Sequence, residues 1–265
     1  MNRIAQTFKK CTGENRKALV IFVSAGNPDL ATTEKLIIQA AEAGADIVEL
    51  GVPFSDPMAD GPVIQEASAR ALQAGTTLAG VIEMASRIRK ASTIPMVLFS
   101  YYNVILSYGV EQAAADCKAA GIDAWLMVDV PFEESAEILP YLDKYDLCMI
   151  PLVAPTTPEA RAKEIVKNAK GFVYYITVAG VTGARKQLSV NLEARLDELR
   201  KISPVPVVAG FGISSPEMAA KTAAHADGIV VGSALVKIMN EAADPESGIK
   251  QSIELIRGLA AALKN

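Results

Sequence analysis

Residues 18–53, ALVIFVSAGNPDLATTEKLIIQAAEAGADIVELGVP, hold the unit from which the rest of the chain is built. The segment opens on a short apolar run, ALVIFVSAG (18–26), passes through LATTEKLIIQAAEAG (30–44), and closes on a second apolar run, DIVELGVP (46–53). Short runs rich in Val and Ile, bounded by Gly or Pro, read as buried parallel strands, and the stretch between them has the apolar spacing of an amphipathic helix. The unit recurs outward. Further strand-like runs are IPMVLFSYYN (94–103), DAWLMVDVP (123–131), LCMIPLVAP (147–155), FVYYITVAG (172–180), VPVVAGFG (205–212) and DGIVVGSA (227–234). Helical patterns separate them, from LAGVIEMASRIRKAS to the closing SGIKQSIELIRGLAAALK, and Thr157-Pro158-Glu159 and Ser215-Pro216-Glu217 supply helix starts. Eight strands alternating with eight helices over roughly 250 residues predict a TIM (β/α)8 barrel in the α/β class, with a doubly wound open sheet as the alternative. RIAQTFKKCTGEN (3–15) predicts an extra N-terminal helix across the barrel bottom, and GPVIQEASARALQAG (61–75) an inserted helix after the second strand. No linker or low-complexity segment interrupts the pattern, so residues 1–265 are expected to form one domain.

Composition narrows the chemistry. With 30 acidic and 26 basic residues, a net charge of -4 and 51% hydrophobic residues, the chain has no electrostatic footprint for nucleic acid or anionic membrane, and too many apolar side chains for a disordered protein. No apolar run approaches the ~20 residues that span a bilayer, and the polar start MNRIAQTFKKCTGENRK lacks an apolar signal core; a cytoplasmic protein is expected. Three widely spaced cysteines (Cys11, Cys117, Cys148) suggest neither a disulfide framework nor a metal site. The single histidine, His225, excludes sites that need two, and its place just before the eighth strand puts it at the barrel bottom. Carboxylates, tyrosines or lysines are therefore the candidates for moving protons, and no lysine lies inside a strand run.

In this fold the active site forms at the C-terminal ends of the strands. In DIVELGVP, alternation places Ile47, Glu49 and Gly51 on one face, and a carboxylate within such an apolar run is costly to bury charged, which suits proton transfer. Its other reading is a strand-tip carboxylate bonded to loop amides. The following loop, GVPFSDPMADGP (51–62), carries Asp56 and Asp60; Asp60 reads as a second acid or as the N-cap of the next helix, with local sequence favouring the cap. Phe54 and Met58 either pack down on the barrel or dock onto a partner. Glycine-rich elements at 179–189, 210–214 and 232–234 follow the sixth, seventh and eighth strands, where main-chain N–H groups can bind phosphate. Asp129 is a site, turn or interface candidate. Phe22, Tyr101, Leu126, Tyr174 and Phe211 are candidates for an apolar slot or for the core, and Lys186 reads as a solvated loop charge.

VELGVPFSDPMADGP (48–62) resembles the signature of the tryptophan synthase alpha chains, and GVTGAR (180–185), GFGIS (210–214) and GSALVKI (232–238) match further motifs of that family in order. The likeness runs over essentially the whole chain, departing at Val178 and Val104. It implies a TIM barrel that cleaves indole-3-glycerol phosphate to indole and glyceraldehyde 3-phosphate. Glu49 and Asp60 fall on the family's catalytic carboxylates. Phe22, Tyr101, Leu126, Tyr174 and Phe211 would surround the substrate, and Thr182 would close over the site and orient Asp60. Gly183, Gly212, Gly232 and Ser233 would hold the phosphate. Pro53, Phe54, Ser55, Asp56, Pro57, Met58 and Asn103 would face a beta chain in an α2β2 complex. The resemblance implies no metal and no cofactor in this chain, the pyridoxal phosphate (PLP) belonging to the beta partner. A stand-alone indole-releasing lyase and a catalytically silent scaffold that activates a beta chain are the competing readings, with a phosphosugar isomerase as the outside alternative.

Overall fold

Successive side chains of a strand point to opposite faces, so each apolar run here can serve two cores, one against the helices and one inside a closed sheet. The computed structural model describes residues 2–176, 192–210 and 212–264, and in them nine strands form one parallel sheet. The strands are β1 (Ala18–Ser24), β2 (Ile47–Gly51), β3 (Met96–Ser100), β4 (Ala124–Met127), β5 (Cys148–Met149), β6 (Leu152–Val153), β7 (Val173–Ile176), β8 (Val207–Gly210) and β9 (Gly228–Val231). Their spatial order is β5-β4-β3-β2-β1-β9-β8-β7-β6. The two ends of that order are consecutive pieces of one run, so the sheet curls shut as a barrel and the open-sheet alternative falls.

All eight expected runs form strands, and one of them is split in two, which makes nine pieces. LCMIPLVAP breaks at Ile150-Pro151 because Pro151 has no N–H to give to a ladder. On one side of the break the Ile150 N–H donates to the Trp125 carbonyl at 2.8 Å; on the other, the Tyr174 N–H donates to the Pro151 carbonyl at 3.0 Å. One interrupted run thus serves both neighbours. The third run is also shorter than its pattern: β3 stops at Ser100, and Asn103 lies in the helix Tyr102–Tyr108.

Register pairs Phe22 with Glu49 and Glu49 with Val97. Val20, Phe22, Ile47, Val97, Phe99, Leu126, Tyr174 and Val230 gather in the barrel interior, while Leu19, Ile21, Val48, Leu50, Met96, Leu98 and Trp125 pack outward against helices. Glu49 takes an inward position, which leaves a carboxyl inside an apolar layer. The helix Arg3–Gly13 buries Ile4, Phe8 and Cys11 in the same interior cluster, with Phe8 6.0 Å from Phe172, so it plugs one end as the sequence predicts. The inserted helix is Pro62–Gln73.

The closed end is held by one device used three times. AGAD (43–46), AGID (120–123) and AHAD (224–227) each end in an Asp just before a strand. The Asp46, Asp123 and Asp227 N–H groups donate to the carbonyls of Leu19, Met96 and Val207 at 2.8, 2.9 and 2.8 Å. Their carboxylates accept from the N–H of those same three residues at 2.9, 3.0 and 2.9 Å. Arg16, Arg3 with Arg89, and Arg200 complete the pairs. The Asp123 side chain is 3% exposed and that of Asp227 29% exposed, which ranks the effects of removing them. Asp123→Ala leaves the buried Met96 N–H without its side-chain acceptor and the nearly buried Arg89 guanidinium without a carboxylate, and is expected to cost about 3 kcal/mol. Asp227→Ala, where water reaches the ion pair, should cost about 1 kcal/mol. Urea midpoints of the two variants check the ranking.

Candidate active site

Glu49 is fully buried, and among the described residues no hydrogen-bond partner reaches either carboxyl oxygen. The reading of Glu49 as a strand-tip carboxylate held by loop amides is therefore corrected: strand alternation points the side chain inward, away from the loop backbone. Burial alone pushes its pKa up to about 8, so the group carries its proton at neutral pH. Tyr174 is close enough for its hydroxyl to feel the Glu49 charge, and burial with that charge raises it well above the ordinary tyrosine range. Gly210 makes room for this ring, since a Cβ there would lie 2.5 Å from Tyr174 Cζ.

Asp60 does not cap the inserted helix. Gly61 occupies the N-cap and makes no side-chain cap bond, while the Tyr101 hydroxyl donates to Asp60 Oδ2 at 3.0 Å. The local signal for a cap failed because the loop spends an extra residue before the helix, and Pro62 at the first turn needs no donor satisfied. Burial raises the Asp60 pKa, and the Tyr101 hydrogen bond offsets only part of that rise. The Ala59 N–H donates to the Tyr101 hydroxyl at 3.0 Å, and the Phe54 ring lies 5.0 Å from the Tyr101 ring. Phe54 is half-buried, Pro53 is buried, Ser55 and Asp56 are exposed, Pro57 is half-buried, and Met58 is 92% exposed. Phe54 thus packs down onto its own barrel while Met58 points to solvent.

One cavity brings these groups together. Phe22, Glu49, Asp60, Tyr174, Gly212, Gly232 and Ser233 all line it. Its far wall is the start of the helix Ser233–Glu241, whose N-cap, Gly232, makes no side-chain cap bond and whose first turn holds no acidic residue. The first N–H groups of a helix have no partner within it and carry its positive dipole end, so an anion is favoured there. Gly212 adopts φ +77°, a left-handed conformation that a side chain would strain. Leu126 is buried in the interior layer beside Phe99 but does not line the cavity, and neither does Tyr101. Thr182, Gly183 and Phe211 lie outside the described residues, as do Val178 and Lys186.

Several other candidates have ordinary work. Asp129 Oδ1 accepts from the Tyr102 N–H at 2.9 Å and so holds the turn into the helix Tyr102–Tyr108. His225 Nδ1 lies 3.0 Å from Asp197 Oδ2 at the closed end. The three cysteines are buried, and burial raises their pKa values. Among the described residues no group of three or more His, Cys, Asp or Glu is placed to hold a metal ion, and no helix is long and apolar enough to cross a membrane.

A family model described as tryptophan synthase alpha chain matches residues 8–264. The chain belongs to the tryptophan synthase alpha chain family. The tryptophan synthase alpha chain of Geobacter sulfurreducens is 52% identical over 248 residues, covering 94% of each chain. That of Caldanaerobacter subterraneus subsp. tengcongensis is 48% identical over 237 residues, covering 89% of this chain and 90% of the relative. Among solved structures, tryptophan synthase subunit alpha from Legionella pneumophila superposes with a TM-score of 0.90 at 37% identity, covering 99% of this chain and 98% of that one. A chain of Mycobacterium tuberculosis tryptophan synthase does so with a TM-score of 0.90 at 34% identity, covering 100% and 99%. The cavity also takes in Ile213, Ser214 and Ala234, from the glycine-rich stretches picked out in the sequence, and Ile64, Phe99 and Val230, which sequence reading did not single out. Alternation alone signals Phe99, two residues beyond the inward Val97. Nothing local signals Ile64, which reaches the cavity from the first turn of the inserted helix.

Proposed function

We propose that this chain cleaves indole-3-glycerol phosphate by a retro-aldol reaction to indole and glyceraldehyde 3-phosphate. The observation that carries the reading is a single cavity shared by a wholly buried carboxyl, a second acid tied to a tyrosine, and an uncapped helix start. The substrate's phosphate sits on the N–H groups around Gly212, Gly232 and Ser233, which extends the indole ring toward the two acids. Phe22 and Tyr174 flank it, with Leu126 behind them. Glu49 gives its proton to indole C3, and the ring becomes an indoleninium with positive charge at N1. Asp60, ionised beside N1–H, stabilises that charge. The hydroxyl on the carbon attached to C3 then returns a proton to Glu49, its C–O bond becomes the aldehyde C=O, and the C–C bond breaks, its electron pair restoring the aromatic ring. Glu49 ends protonated, as it began, so the cycle needs no outside acid or base. No step calls for a metal or a cofactor.

The exposed Met58, Ser55, Asp56 and Asn103, with Pro57, form the face that we assign to a beta chain in an α2β2 complex. Indole is apolar and would be handed to that PLP-dependent partner. An indole-release assay with and without a beta chain tests the whole reading: indole should appear in both and rise strongly when the partner is added. No indole in either condition rejects the reaction, and equal rates reject the coupling.

The environments of the two acids also set the pH dependence. The working form has Asp60 charged and Glu49 protonated. With Glu49 pushed up to about 8, kcat/KM should fall as pH rises past that value, and it should fall on the acid side as Asp60 takes up a proton. A pH–rate profile that stays flat through pH 8 and beyond contradicts this assignment of Glu49.

A further inference from the structure

Tyr101, assigned to the substrate by resemblance, donates its hydroxyl to Asp60. It is 5% exposed, lies outside the lining of the cavity, and makes both of its hydroxyl contacts to the segment that carries Asp60. The Ala59 N–H occupies a lone pair of the hydroxyl at 3.0 Å, which directs the hydroxyl proton at Asp60 Oδ2, also at 3.0 Å. Phe54 backs the ring at 5.0 Å with planes 30° apart, and is itself pinned by Ser68, whose Oγ accepts from the Phe54 N–H at 2.8 Å and donates to the Phe54 carbonyl at 3.0 Å. The ring cannot swing without breaking this stack.

We propose that Tyr101 is a positioning residue for Asp60: its hydroxyl, aimed by Ala59 and backed by Phe54, holds the carboxylate charged and facing the cavity. The inference rests on the lyase reading above and concerns how one of its two acids is kept in working form. A carboxylate taken out of water tends to accept a proton unless a donor supports its charge. Tyr101 bears on Asp60 directly, Glu49 lines the same cavity, and Asp129 bears on Tyr101 from just after β4. Both acids are anions or neutral, and no lysine, arginine or histidine is among the described lining residues, so the tyrosine hydroxyl is the support the described structure supplies.

The test is Tyr101→Phe, which keeps the ring against Phe54 and removes only the hydroxyl. The titration of the Asp60 carboxyl is followed by carbon-13 NMR in the full chain, with its resonance assigned by its disappearance in Asp60→Asn. The Asp60 midpoint should move up, and the acid limb of the kcat/KM profile should move with it. At pH 7 kcat should fall about tenfold while KM and the affinity for inorganic phosphate stay within about twofold. An Asp60 midpoint that does not move overturns the proposal, as does a variant that raises KM and leaves kcat alone, the signature of a substrate wall. Phe54→Leu leaves the hydroxyl but loosens its backing, and should move the midpoint the same way by less. It carries the test if circular dichroism shows that Tyr101→Phe does not fold, and an unmoved midpoint there again overturns the proposal. The NMR titration needs no turnover: a moved midpoint in a chain that releases no indole sinks the lyase reading and leaves the tyrosine's hold on Asp60 standing.

Discussion

Glu49→Gln is expected to stop indole release and, at alkaline pH, to make the protein more stable. Removing a group that both donates and accepts the transferred proton should lower kcat by at least about 10²–10⁴-fold, the usual worth of general acid–base catalysis. The stability gain follows from burial. In the unfolded chain Glu49 loses its proton near 4.5, and in the folded chain only near 8. Between those values the folded state holds a proton that the unfolded state has released. Stability contributed by this group therefore falls as pH rises from about 4.5 and levels off above about 8. The full penalty is of order 5 kcal/mol at the upper end and close to zero at pH 4. A neutral amide escapes it, although its own polar atoms are still buried without partners. Urea unfolding of wild type and Glu49→Gln across pH 5 to 9 measures the difference, which should widen with pH in favour of the variant. A constant difference would mean that Glu49 is not held neutral. The proton that we assign to catalysis is thus held at a cost to the fold.

Asp60→Asn should separate charge from shape. The amide keeps the side-chain size and an acceptor oxygen for the Tyr101 hydroxyl, and loses only the negative charge beside indole N1. Because that charge acts on the indoleninium and not on the resting ring, kcat should fall about 10²–10³-fold with KM little changed. Inorganic phosphate should bind as before if the proposed site at Gly212, Gly232 and Ser233 holds it, since none of those residues is changed. Turnover within a few-fold of wild type would reject the electrostatic role. Taken with Glu49, the contrast is one of surroundings: two carboxyls in one cavity, the first without a donor among the described residues, the second given a hydroxyl that offsets part of the cost of burying its charge.

Much of this was visible in one dimension. The repeated run-and-helix pattern predicts the barrel, and β2 alternation groups Glu49 with Ile47 and Gly51 on one face, because a strand's period of two ties the order of residues to the side they share; that this face is the interior one is decided by the closed sheet. The two glycine-rich turns that fall within the described residues line the same cavity as Glu49. Asp60 was different. Asp-Gly-Pro before a helix looks like a cap, and only its partner, 41 residues on, shows that it is not. The aspartates of AGAD, AGID and AHAD are conspicuous as a repeat, but each partner N–H belongs to another strand some 20 to 27 residues away.

Local periodicity and turn chemistry alone were enough for the fold class, for the face that Glu49 shares with Ile47 and Gly51, and for the places of the glycine-rich turns. Which groups meet, and whether each acid ends up bare or supported, emerges only when the sheet closes and its register brings the loops of distant strands to one mouth. Those contacts depend on curl and on the break at Ile150-Pro151, which no window of neighbouring residues contains.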